Sequence, residues 1–85
     1  MEREIREFII GFFSEKEKVA GIDQNELAKI NFVDAQLLDS IEFITLIAEI
    51  EENFGVVFTE SDMQSSQFST IEGMVAITCS RLKVL

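Results

Sequence analysis

Apolar residues return with a helical period at the start of the chain. Ile5, Phe8, Ile9, Phe12 and Phe13 lie three and four residues apart, and Glu2, Arg3, Glu4, Arg6 and Glu7 fill the other side. This spacing predicts an amphipathic helix over about Glu2 to Glu17. From Val19 to Leu38 the period is lost. Leu27, Ile30, Phe32, Leu37 and Leu38 are scattered there without a repeating step, and Asn25 to Ile30 has room for one helical turn. So long a stretch without regular structure is uncommon in a small domain, and its apolar residues are expected to pin it to the core.

The period resumes after Asp39. Phe43, Leu46, Ile47, Ile50 and Phe54 mark one face, Asp39 with Glu42 makes an acidic version of the capping box, and Gly55 follows as a left-handed stop. A second helix is predicted over Ser40 to Phe54. Val56, Val57 and Phe58 are too few for a strand and read as an extended connector. Thr59 with Asp62, and Ser69 with Glu72, repeat the capping signature. They predict a short helix over about Glu60 to Ser65 and a longer one running to about Lys83, with Ile71, Met74, Val75, Ile77, Thr78 and Leu82 as its apolar face. No proline interrupts any of them. The expected fold class is all-α, a four-helix bundle with a long first loop and a short third helix, with residues 1–85 forming one domain.

Composition narrows the function classes. Hydrophobic residues make up 47% of the 85 positions and charged residues 27%, which suits a folded chain and not a disordered acidic tail. Sixteen acidic residues against seven basic ones give a net charge of -9. Such a surface repels nucleic acid and anionic lipid, and a partner that docks on it should present Lys and Arg. The charged start Met1-Glu2-Arg3-Glu4 is unlike a signal peptide, and no run is long and apolar enough for a membrane span. A soluble, monomeric protein of the cytoplasm is expected, with no nucleic-acid partner and no transmembrane segment.

Chemistry is mostly excluded. The chain has no histidine, which removes the commonest general base and metal ligand, and its single cysteine, Cys79, allows no internal disulfide. Cys79 stands among Ile77, Thr78 and Leu82 and reads as a small core residue. No calcium loop, phosphate-cradling glycine loop or dinucleotide fingerprint is present. A free-standing enzyme is not expected, and no catalytic or metal-ligating residue is assigned.

What stands out is Leu37-Leu38-Asp39-Ser40-Ile41, a hydroxyl at the start of a strongly amphipathic helix that follows a long loop. Asp and Ser are ordinary capping residues, so the pair alone implies only a cap. The longer segment Leu37-Leu38-Asp39-Ser40-Ile41-Glu42-Phe43-Ile44 resembles the attachment site of acyl carrier proteins, whose hallmark is Asp-Ser-Leu. The likeness continues through Leu46, Glu49, Ile50, Glu51, Glu52, Phe54 and Gly55, and then through Phe58, Asp62, Phe68, Thr70, Ile71 and Met74. Ile41 stands in place of the usual Leu. Leu37-Leu38 precede Asp39 where fatty-acid-synthesis carriers more often have Gly-Ala, a version similar to stand-alone carriers of specialised pathways, including the D-alanyl carrier protein.

The resemblance implies a four-helix bundle whose Ser40 carries covalent 4'-phosphopantetheine, with cargo held as a thioester. It implies modification by a phosphopantetheinyl transferase with coenzyme A, with Asp39 helping to orient magnesium in that transfer. It further implies a docking stripe along the second helix, comprising Ile41, Glu42, Ile44, Thr45, Ala48, Glu49, Glu51 and Glu52. That stripe would meet basic patches on acyl or aminoacyl ligases, synthases or transferases. Fatty acyl, polyketide and aminoacyl cargo all remain open. The alternative reading is an acidic helical interaction module without a prosthetic group, in which Ser40 merely caps.

Overall fold

The computed structural model describes residues 2–16, 19 and 21–82, and among these the chain is all-α with no strand. Helix α1 spans Glu2–Ser14, α2 is a short turn at Gln24–Leu27, α3 spans Ser40–Phe54, α4 spans Glu60–Gln64 and α5 spans Ile71–Leu82. A 3-10 turn, Ser66–Ser69, joins α4 to α5. No helix among the described residues is long and apolar enough to cross a membrane.

The predicted faces pack, with Ile10 added to that of α1 and with Phe8, Phe12, Phe43 and Phe54 only half-buried against the core. Helix α1 buries Ile5, Ile9, Ile10 and Phe13, α3 buries Leu46, Ile47 and Ile50, and α5 buries Ile71, Met74, Val75 and Thr78. Helix α1 lies along α5 and also touches α3. All eight phenylalanines take part in ring contacts. Phe13 meets Phe32 at 5.1 Å between centroids, Phe32 meets Phe43 at 6.2 Å, Phe43 meets Phe68 at 6.4 Å and Phe68 meets Phe58 at 5.0 Å. These separations are those at which tilted and edge-on rings attract. The run ties α1, the long loop, α3, the 3-10 turn and the connector into one core.

The long loop is held as its apolar residues suggested. Leu27, Phe32 and Leu37 are buried, and Ile30 and Leu38 pack against the core. Two backbone bonds fix the loop to the far end of the chain: the Phe32 N–H donates to the Ser69 carbonyl at 2.8 Å, and the Glu72 N–H donates to the Ala28 carbonyl at 3.1 Å. The predicted turn at Asn25 to Ile30 sits earlier, at Gln24–Leu27, because the Leu27 and Ala28 amides bond back to Asp23 and Gln24.

Three boundaries differ from expectation. Helix α1 stops at Ser14, whose hydroxyl donates to the Ile10 carbonyl at 2.8 Å, while the Lys16 N–H turns back to the Phe13 carbonyl. The expected last residue, Glu17, lies outside the described residues. Helix α4 ends at Gln64, because Ser65 is extended and its hydroxyl accepts from the Gln67 N–H to open the 3-10 turn. The cap of α5 is Thr70 and not Ser69: the Thr70 hydroxyl accepts from the Gly73 N–H at 3.0 Å, and Ser69 belongs to the 3-10 turn. Its far end is at Leu82; Lys83 lies outside the described residues.

Gly73 shows why that junction is tight. A Cβ there would fall 1.8 Å from the Gln67 carbonyl oxygen and 2.8 Å from the Gln67 Cα, so only glycine lets α5 approach the 3-10 turn. Gly55 closes α3 in the left-handed region, at φ 68°, as the sequence pattern required.

Candidate functional site

The start of α3 is built by a reciprocal cap. The Asp39 carboxylate accepts from the Glu42 N–H at 2.7 Å, and Glu42 Oε1 accepts from the Asp39 N–H at 3.1 Å. Ser40, between them, is the first helical residue and is exposed. Asp39 thus leaves the hydroxyl free of capping work. The Ser40 and Ile41 amides have no partner among the described residues, so the positive end of α3 stays open beside that hydroxyl. The second Glu42 oxygen pairs with Lys16, which sits just after α1.

A cleft of about 400 Å³ runs from this point. Phe32, Val33, Leu38, Phe43, Met63 and Phe68 give it apolar walls, and Gln64, Ser65, Ser66 and Ser69 supply polar groups on the side of α4 and the 3-10 turn. Asp39 and Ser40 also line it. The wall made by α4 has no buried residue of its own. It is held by Arg81 of α5, whose guanidinium donates to both Asp62 oxygens at 2.6 to 2.9 Å, while the Asp62 carboxylate also accepts from the Thr59 N–H at 2.9 Å. The bonds from Arg81, and then that from Thr59, hold the Asp62 carboxyl below the usual carboxylate range. The same pairing raises Arg81.

The other residues singled out from the sequence lie along α3. Ile41 is 76% exposed and Ile44 66% exposed, unusually open for large apolar side chains. Thr45, Ala48, Glu49 and Glu52 are exposed beside them, in one stripe that starts next to Ser40. The Thr45 hydroxyl turns back to the Ile41 carbonyl at 2.8 Å. Glu42 and Glu51 flank the stripe and have bonds within the fold: Glu42 closes the cap, and Glu51 accepts the Phe58 N–H at 2.9 Å, which anchors the connector. Sequence reasoning missed Lys16, Arg81, Val33 and Met63 as parts of this region. Lys16 and Arg81 act on carboxylates 26 and 19 residues away, so no local spacing marks them.

A family model described as the phosphopantetheine attachment site matches residues 17–77. The chain belongs to that family. The family carries 4'-phosphopantetheine covalently on a serine, so this is a phosphopantetheine-carrying carrier protein. Neither a curated protein nor a solved structure matches the sequence. The residues present fit the group. The matched stretch contains Ser40, Ser61, Ser65, Ser66 and Ser69. Ser65 accepts an amide bond and Ser69 is half-buried; Ser61 and Ser66 are exposed but lie in the five-residue α4 and the 3-10 turn, whereas Ser40 is exposed at the open end of a 15-residue helix, with an amphipathic cleft alongside.

Proposed function

We propose that Ser40 is the attachment serine and that the protein is an acyl carrier protein of the four-helix type, itself non-catalytic. It presents an acyl or aminoacyl group to partner enzymes in the reducing cytoplasm. The observation that carries this reading is the exposed Ser40 hydroxyl at the first position of a helix whose cap is supplied by its neighbour Asp39. When bound, the group supplies a terminal thiol that holds cargo as a thioester.

Each nearby residue has a task in this account. The Ser40 Oγ attacks the phosphoryl group that bears pantetheine in coenzyme A. The pyrophosphate P–O bond breaks with the nucleotide half as leaving group, and the hydroxyl proton passes to a base on the phosphopantetheinyl transferase. The Ser40 and Ile41 amides and the dipole of α3 then face a phosphodiester, an interaction worth about 0.3 to 1 kcal/mol at an exposed helix start. Asp39 keeps the first turn formed, and its carboxylate is placed to help orient magnesium during the transfer. The cleft, with apolar walls and hydroxyls on one side, suits an arm that carries a gem-dimethyl group and methylenes together with a hydroxyl and two amides.

Glu49 and Glu52, with Ile41, Ile44, Thr45 and Ala48, form the face offered to partners, and Glu42 and Glu51 add charge at its edges. Basic patches on the transferase and on ligases or synthases complement it, chiefly by raising association rate and selecting partners. The test is Ser40→Ala. The variant should fold with an unchanged melting temperature and accept no phosphopantetheine from coenzyme A and a broad-specificity transferase. Labelling that persists in Ser40→Ala would move the site elsewhere. A wild-type chain that takes no label yet forms a stable complex with a basic protein, one that survives Ser40→Ala, would favour the interaction module instead.

A further inference from the structure

We propose that the cleft beside Ser40 houses the pantetheine arm and not the cargo, so that this carrier holds its acyl group in solvent and suits a short one; the inference rests on the reading of Ser40 as the attachment serine. The floor of the cleft is aromatic. Phe32 and Phe68 line it and are each 1% exposed, and the half-buried Phe43 joins them at 6.2 and 6.4 Å between ring centres. These rings are backed in turn, Phe32 by Phe13 at 5.1 Å and Phe68 by Phe58 at 5.0 Å. Leu46, Ile50 and Met74 are fully buried, and none of them lines the cleft.

The floor is fixed by backbone as well as by packing. The Phe32 N–H donates to the Ser69 carbonyl at 2.8 Å and the Phe32 carbonyl accepts from the Leu37 N–H at 3.0 Å, while the Phe68 N–H donates to the Ser65 carbonyl at 3.0 Å. Helix α5 closes on the same turn, since a Cβ on Gly73 would overlap the Gln67 carbonyl. An alkyl chain therefore reaches the core only by displacing rings whose attractions and close packing oppose it. The volume leaves no spare room either. A cleft of about 400 Å³ has the liquid share of about 13 waters, fewer than the non-hydrogen atoms of pantetheine, so the arm alone fills it. Gln64, Ser65, Ser66 and Ser69 offer an amide and hydroxyls to the arm, and no apolar path onward for a chain. Methylenes beyond the thioester stay in water, where they forfeit the burial that a sheltering carrier would give.

The experiment loads acetyl, hexanoyl and decanoyl forms onto the protein from the matching acyl-coenzyme A with a broad-specificity transferase. Thioester cleavage by hydroxylamine is measured for each, and its rate is divided by that of the same acyl-coenzyme A. The three ratios should agree within about two-fold, whereas shelter in the core would multiply protection by about four-fold for each buried methylene. Amide spectra by nuclear magnetic resonance supply the second readout: the acetyl form should shift Met63, Gln64 and Ser66 relative to the unmodified protein, and the decanoyl form should add no shift at Leu46, Ile50 or Met74. Phe43→Ala opens the floor at its half-buried ring, and there decanoyl should outlast acetyl by about ten-fold or more, as two buried methylenes would give. Wild-type protection that grows with chain length, new shifts at the three core residues, acetyl loading that leaves Met63, Gln64 and Ser66 unmoved, or a folded Phe43→Ala that protects nothing would each overturn the inference. The wild-type series decides it even if Phe43→Ala does not fold. A protein that takes no label at Ser40 overturns the Ser40 reading, whereas label at Ser40 with length-dependent protection overturns the cleft assignment alone.

Discussion

Gly73→Ala tests whether the 3-10 turn that walls the cleft is packed as tightly as the geometry states. A methyl on residue 73 would lie 1.8 Å from the Gln67 carbonyl oxygen, 2.6 Å from its carbon and 2.8 Å from the Gln67 Cα. A carbon rests about 3.3 Å or more from such an oxygen, so the turn would have to retreat by about 1.5 Å. The obstacle is backbone and has no rotamer through which to yield. Retreat would pull Phe68 away from Phe43 and Phe58 and strain the bond from the Phe32 N–H to Ser69. Alanine gains about 1 kcal/mol over glycine in a helix interior, whereas forced overpacking costs about 1 to 3 kcal/mol and sometimes more. With the loosened aromatic contacts added, a net loss of about 2 kcal/mol is expected, or a fall in melting temperature of roughly 8 to 15 °C for a domain of this size. Thermal and urea unfolding followed by circular dichroism measure it. Gly11→Ala is the internal control, because nothing lies within 4 Å of a Cβ there and the residue is exposed in α1. That variant should gain about 0.5 to 1 kcal/mol. The reasoning is refuted if Gly73→Ala matches or exceeds wild type, or if the two substitutions shift stability in the same direction.

Further outcomes follow from the same contacts. Asp39→Ala removes the cap of α3 and should cost about 1 kcal/mol in urea unfolding; no change would mean that the box contributes nothing. Asp62 has a lowered pKa, so its pairing stabilises the fold above the ordinary aspartate pKa of about 3.9, and that contribution fades as pH falls below it. The melting-temperature gap between wild type and Arg81→Met should therefore be full near neutral pH and shrink as pH drops below about 4, and a gap independent of pH would contradict the assignment. Reversing Glu49 and Glu52 to Lys should slow association with the transferase at low salt while leaving helicity intact. Equal association rates would return those residues to an ordinary solvated face.

Most of what can be read from the sequence is local, and most of what escapes is distant. The bounds of α3 follow from Asp39, Glu42 and Gly55, residues whose partners lie within one helical turn. The start of α4 follows likewise from Thr59 and Asp62. The cap of α5 was displaced by one residue because Ser69 and Thr70 are both capping types. The choice between them depends on the 3-10 turn, whose carbonyl at Ser69 is taken by Phe32 from a loop far upstream. Helix α1 ended early because Ser14 bonds backward, which a period of apolar residues does not register. The Ser40 position stood out because it combines a cap with a family-like order of residues. The polar side of the cleft, the latch from Arg81 to Asp62 and the tie from Lys16 to Glu42 depend on which elements fold against which. Glu51 illustrates the same limit: spacing places it beside the exposed stripe, but one of its oxygens accepts the Phe58 amide and so has a structural task as well.

The central claim concerns one hydroxyl, and intact mass measures it directly. The protein is incubated with coenzyme A and a broad-specificity phosphopantetheinyl transferase, weighed before and after, and digested to map the modified peptide. The account predicts a gain of one phosphopantetheinyl group, located on Ser40 and absent from Ser40→Ala. A folded sample that gains no mass, or gains it at another serine, would contradict it.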